Sequence, residues 1–371
     1  MLASIPWTVI DMAARSTGRR QFITGLLATG LIPKISWADA GSPASLSTAA
    51  RTDGSYVLCG IGHDLDILFQ IPLPARGHAA AAHPTKPQAV AFARRPGTFA
   101  SVVNCVTGKI ETTLYAPKGR HFYGHGTFSA NGDWLFTTEN DFEVGRGRIG
   151  IWDVSAGYTR YGEFDSGGIG PHDIKRLPNT DILVIANGGI DTHPDTGRTK
   201  LNIPTMRPNL SYIHDGTLIE MAQLPPDMHK NSIRHLAVNS KGDVAIGMQW
   251  QSDAQADALV GQHSQGQPIE LFTCPPNQMR NLEGYIGSVA FSSDAKTLAV
   301  TSPRGGKLQV YDAKTGRLNR EINLKDASGL VTHEDGFVVS SGTNGLSHVF
   351  GQHQARPFNT TLMWDNHLVT I

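Results

Sequence analysis

Short apolar alternations separated by Gly-, Asn- and Asp-bearing turns fill the chain from about residue 55 onward, and long helical periodicity is missing. The clearest example spans residues 119–140. A polar entry with Arg120, His121 and His125 leads into Thr127-Phe128-Ser129; an Asn131-Gly132 turn follows, then a second alternation from Trp134 to Thr137. Asn-Gly between two alternating runs predicts a β-hairpin, because both turn residues tolerate positive φ. The same phrase recurs, with starts at positions 83, 125, 172, 235, 288 and 329, spaced by 42, 47, 63, 53 and 41 residues. Several short strands per unit at a period near 40 to 50 residues are the mark of a β-propeller.

The expected fold is therefore all-β, a seven-bladed propeller. Six repeats are visible, and strands at residues 55–61 and 66–73 with a C-terminal hairpin at 361–370 complete a seventh by pairing the two ends. Closure of that kind removes the exposed edges of a linear array. Residues 1–40 are expected to be a signal segment, 41–53 a linker, and 54–371 a single propeller domain.

The signal reading rests on Arg19-Arg20 followed by Phe22, a short apolar stretch, and Ala38-Asp39-Ala40 as a cleavage site. It predicts twin-arginine export to the periplasm, with cleavage near Ala40 and no membrane span in the mature chain. Gly18 stands where the twin-arginine consensus has Ser or Thr. A formal net charge of zero argues against a nucleic-acid partner. The three cysteines, Cys59, Cys105 and Cys274, make no C-x-x-C; small buried residues are the favoured reading, with one disulfide left open. Hydrolase-elbow, P-loop, C-x-x-C-H and H-E-x-x-H motifs are absent, so neither haem nor nucleotide is expected.

Fifteen histidines are a high count, and several sit just before an inner strand. In a propeller such positions gather around the axis. His83, His125, His172 and His235 are the expected ring, with His121 and the insertion's His193 beside it. Neutral imidazole is a common ligand of Zn, Cu, Fe and Ni, which points to a transition-metal ion. The bland alternative is a structural histidine repeated with each blade. Arg120, Glu139, Asn140, Asp141, Asn187, Arg234 and Arg304 lie where inner hairpins start or return, and are expected to contact a ligand or anion. The long polar insertion at 187–208 is placed over the channel mouth, where it would bring His193, Asp191 or Arg198. His63, His78, His214, His229, His263, His353 and His367 lack the register and are read as surface or local structural residues.

The phrases Phe92-Ala93-Arg94-Arg95-Pro96-Gly97-Thr98, residues 119–126, Thr138-Glu139-Asn140-Asp141, Gly168-Ile169-Gly170-Pro171-His172, Ala186-Asn187-Gly188-Gly189-Ile190, Ser232-Ile233-Arg234-His235-Leu236 and Thr301-Ser302-Pro303-Arg304-Gly305-Gly306 resemble a family of uncharacterised exported bacterial propellers. The resemblance covers nearly the whole mature chain. It implies genes beside imelysin-like proteins and a di-haem oxidoreductase, in clusters linked to iron, and supplies no reaction. The leading expectation is a periplasmic propeller that binds iron or copper, rather than zinc, or a metal-bearing partner such as an imelysin-like or di-haem protein. A metal-dependent lactonase or oxidoreductase, with Glu139 or Asp141 as base, is the first alternative. A protein-interaction platform with structural histidines is the second.

Overall fold

Seven four-stranded antiparallel sheets follow one another around the ring. The structure is a computed structural model describing residues 35–94, 97–343, 345–351, 356–358 and 361–371. The paired arginines of the signal reading lie outside the described residues. Blades 2 to 7 begin with the inner strands Gly77–Ala82, Arg120–Phe128, Pro171–Arg176, Asn231–Val238, Ser288–Phe291 and Ala327–His333, each followed by the other three strands of its sheet. Blade 1 takes its three outer strands from the N-terminal side, Ser45–Ala50, Tyr56–Ile61 and Ile67–Leu73. Its inner strand is the C-terminal Met363–Thr370, which pairs antiparallel with Ser45–Ala50.

The seven-bladed expectation is thus met, with three corrections of detail. The C-terminal segment is one strand, not a hairpin. Part of the expected linker is the strand Ser45–Ala50, held on both edges by Tyr56–Ile61 and Met363–Thr370. Its sequence, SLSTAA, is small and polar; tertiary pairing makes it a strand. Ahead of it, Trp37–Ala40 forms a 3-10 turn whose Trp37 Nε1 donates to the His83 carbonyl at 2.8 Å. The third correction concerns the first repeat: Gln88–Ala93 is the second strand of blade 2, and the inner strand is Gly77–Ala82.

Seven apolar clusters, one between each pair of neighbouring blades, hold the ring together. Second strands such as Leu183–Asn187 are buried along their whole length, because both faces meet other blades. Outer strands such as Thr217–Gln223 are largely exposed. Cys59, Cys105 and Cys274 are free thiols, and burial pushes Cys59 and Cys105 up to about 12. Among the described residues, no helix is long and apolar enough to cross a membrane.

Candidate metal centre in the channel

Aligning the inner strands exposes a shared position. It is occupied by His367 in blade 1, His78 in blade 2, His125 in blade 3, His172 in blade 4 and His235 in blade 5. Ser288 and Gly329 stand there in blades 6 and 7. The five imidazoles meet at the axis. Ring centroids lie 4.7 Å apart for His78 and His367, 4.6 Å for His125 and His367, 5.0 Å for His125 and His172, and 4.9 Å for His172 and His235. The belt is closed across the middle, with His78 to His125 at 5.1 Å and His235 to His367 at 5.2 Å. One ligand nitrogen each from His78, His125 and His172 fall within 4.8 Å of one another.

Local backbone geometry aims these side chains. The pairing between inner and second strand slips at each of the five positions: between Gly77 and Ala80, Phe122 and Gly126, Pro171 and Asp173, Ile233 and His235, and, on the closing strand, opposite Ser47 to Ala49. A bulge of this kind adds residues to one strand and re-aims a side chain. Gly124 makes room for one of them. Its φ is 101°, and a Cβ there would lie 2.4 Å from His78 Cδ2.

Asp173 is the buried carboxylate of the belt. Its Oδ1 lies 3.3 Å from His125 Nδ1 and 3.3 Å from Lys175 Nζ, and its Oδ2 accepts from the Leu236 N–H at 3.0 Å. Burial opposes its ionisation, yet Lys175 and His125 together hold the carboxyl well below the usual range. His125 therefore presents Nε2 to the axis. His172 Nδ1 is 3.0 Å from the Arg234 carbonyl, which can only accept, so His172 also keeps Nε2 free of hydrogen. His78 Nδ1 and the Nε2 atoms of His125, His235 and His367 are buried without a hydrogen-bond partner. Burial, reinforced by neighbouring positive and imidazole groups, pushes His78, His172 and His367 well below the usual histidine range and His235 to about 3. These four stay neutral, the form in which imidazole binds metals. A cavity of about 410 Å³ follows the axis from the belt toward the C-terminal ends of the inner strands, with Lys175 as its ammonium group.

The sequence-expected residues divide. His125, His172 and His235 are belt members. His83 is not beside them: it lies in the turn after the inner strand, where its Nδ1 accepts from the N–H groups of Thr85 and Lys86. His121 is buried with both nitrogens engaged, Nδ1 by the Phe122 carbonyl and Nε2 by Asn140. His193 caps a 3-10 turn and meets Phe142 edge-on at 5.1 Å, and Phe142 in turn stacks on His121. The insertion carrying it ties to blade 3 through Asn140 and the Thr192 carbonyl. His78 and His367, expected to be local, belong to the belt; the signal that finds them is the inner-strand alignment, with His at one position in five of the seven strands.

The expected ligand-contact groups are mostly committed to neighbouring side chains of their own blades. Glu139 is fully buried and gripped by Arg160 at 2.7 and 2.9 Å. Arg120 pairs with Glu163 and with Asp141, which also meets Arg148. Asn187 bonds Ser166, Asn209 and Ser211. Arg234 Nε donates to Ser232, and the Arg304 guanidinium lies 4.5 Å over the Tyr285 ring.

A family described as "Protein of unknown function (DUF1513)" matches residues 71–371. No curated protein matches the chain. Among solved structures it is similar to Kuenenia stuttgartiensis Hydrazine Synthase, with a TM-score of 0.63 and 11% identity over 84% of this chain and 96% of that one. At that identity the likeness concerns the fold alone.

Proposed function

The chain belongs to the DUF1513 family of proteins of unknown function, and from that premise we propose that it binds a transition-metal ion at the channel belt. The observation that carries the reading is the set of four buried, unpartnered imidazole nitrogens, on His78, His125, His235 and His367. Each such group costs roughly 1–3 kcal/mol when left unmade. A shared metal ion offsets that cost at once. The donors are nitrogen only, which favours Fe, Cu or Zn over oxygen-seeking Ca or Mg. Asp173 on His125 and the Arg234 carbonyl on His172 supply the outer-shell contacts that orient metal-bound imidazoles.

In the full proposal the protein is exported to the periplasm and handles iron or copper, alone or with a metal-bearing partner such as an imelysin-like or di-haem protein. The paired Arg19-Arg20 and the family resemblance support location and metal class. Binding is favoured over base-assisted catalysis, because Glu139 and Asp141 are held by arginines. The cavity beside the belt favours one second reading, a metal-dependent enzyme acting on a small molecule, which turnover on a lactone panel or with a redox dye would reveal.

The test is metal analysis of protein recovered after native export, with melting followed as Fe(II), Cu(II) or Zn(II) is added. The expected result is bound metal and a raised Tm, with one equivalent and its share of the rise lost in His125→Ala/His172→Ala and kept in His229→Ala. A metal-free protein that none of the three ions stabilises would contradict it.

A further inference from the structure

At the far end of the blade 7 inner strand, two imidazoles converge on one carboxylate oxygen. His333 ends the strand Ala327–His333, Asp335 stands in the turn that follows, and His348 lies on Gly345–Phe350 opposite Val338. His333 Nδ1 is 2.9 Å and His348 Nε2 2.8 Å from the same Asp335 Oδ1. The two ring centroids are 4.2 Å apart. The other nitrogen of His333, Nε2, lies 3.3 Å from the His63 carbonyl of blade 1.

This geometry leaves His333 facing an acceptor at both nitrogens. A neutral imidazole has one N–H and can satisfy one of them. With that hydrogen on the His63 carbonyl, the Nδ1 lone pair faces a carboxylate oxygen, and a cation must lie between. A proton is one candidate. A metal ion is the other, and it also uses the His348 nitrogen aimed at the same point. An imidazole that gives its other N–H to a backbone carbonyl is the common outer-shell arrangement of metal ligands. One donor atom from each of the three residues falls within 4.8 Å of the other two, a spread that small shifts bring around one ion.

We infer that His333, Asp335 and His348 form a second metal site, independent of the channel, for a borderline divalent ion such as Zn, Co, Ni or Cu. Asp335 is 62% exposed, so the three ligands hold the ion from one side and leave further positions to water or to a ligand from outside. Through His333 and the His63 carbonyl the bound ion also braces blade 7 against blade 1.

The experiment is titration of the mature chain with Co(II), read by visible absorption, and with Zn(II), read by calorimetry. It is done in the His125→Ala/His172→Ala background, which silences the channel. About one equivalent is expected to remain. Adding His348→Ala or Asp335→Asn is expected to weaken it at least tenfold, while His63→Ala, which keeps the backbone carbonyl, leaves it unchanged. Circular dichroism establishes that each variant is folded. No binding in the channel-silenced protein, or binding indifferent to both His348→Ala and Asp335→Asn, overturns the site. Should the channel variant not fold, the same two substitutions are made in the otherwise wild-type chain. Loss of one equivalent there supports the site, and unchanged stoichiometry overturns it.

Discussion

Asp173 decides which nitrogen His125 turns to the axis. Asp173→Asn keeps the shape and removes the charge that holds the Nδ1 hydrogen and Lys175. Metal affinity is expected to fall by about 10- to 100-fold, in the range of outer-shell substitutions, with little change in secondary structure. Competition against a chelator of known affinity measures this, and undiminished affinity would remove Asp173 from the account. Gly124 acts by absence. Gly124→Ala places a methyl 2.4 Å from His78 Cδ2 at a φ of 101°, so the ring must move. Loss of the channel metal is the expected outcome, read by the same competition. Three of the belt residues, His125, His172 and His235, were legible from sequence because each opens one copy of the repeated alternating phrase. His78 was hidden by the alanines that follow it: Gly77–Ala82 carries almost no strand propensity of its own. His367 was hidden because ring closure, not its local sequence, makes Met363–Thr370 an inner strand.

At the scale of the element, the repeat and its turns were readable because hairpins announce themselves through local turn chemistry. The bulges were not readable. They arise from pairing between strands, and no residue pattern marks a one- or two-residue slip. The sequence also misread the polar strand ends. Glu139 and Arg120 looked like a channel rim, yet Glu139 lies inside blade 3 in an ion-pair network with Arg160. Whether a charge faces the axis or a neighbouring strand depends on register. The closing strand offers a sharp test. Truncation after Leu362 removes Met363–Thr370 and bares the edge of Ser45–Ala50. Loss of cooperative unfolding, or aggregation, is expected by differential scanning calorimetry. His367→Ala, by contrast, keeps the strand, and is expected to stay folded and to lose metal affinity alone. A truncated chain that still unfolds cooperatively would show that closure is dispensable.

At the scale of the molecule, ring and belt are linked through protons. Burial lowers the folded-state values of His78, His172 and His367, and brings His235 to about 3 and His83 to about 4. In the unfolded chain a histidine titrates near about 6.5. Below that pH the unfolded state binds more protons than the folded one. The metal-free protein is therefore most stable above about 6.5 and loses stability as pH falls toward about 4, at roughly 1.4 kcal/mol per pH unit for each differing proton. Denaturant midpoints at pH 7.5, 6 and 5 should fall in that order, and a flat profile would argue that the histidines are not buried as neutral groups.

In the proposed function, imidazoles from different blades share one metal ion on the axis. X-ray absorption at the metal edge tests it most directly, on protein loaded in the His348→Ala background so that the blade 7 site is silent. A first shell of nitrogen or oxygen donors at about 2.0–2.1 Å is expected, with the outer-shell scattering of at least three imidazoles, reduced when His78, His125 and His172 are replaced by Ala. A shell without imidazole scattering, or one unchanged by those three substitutions, would contradict it.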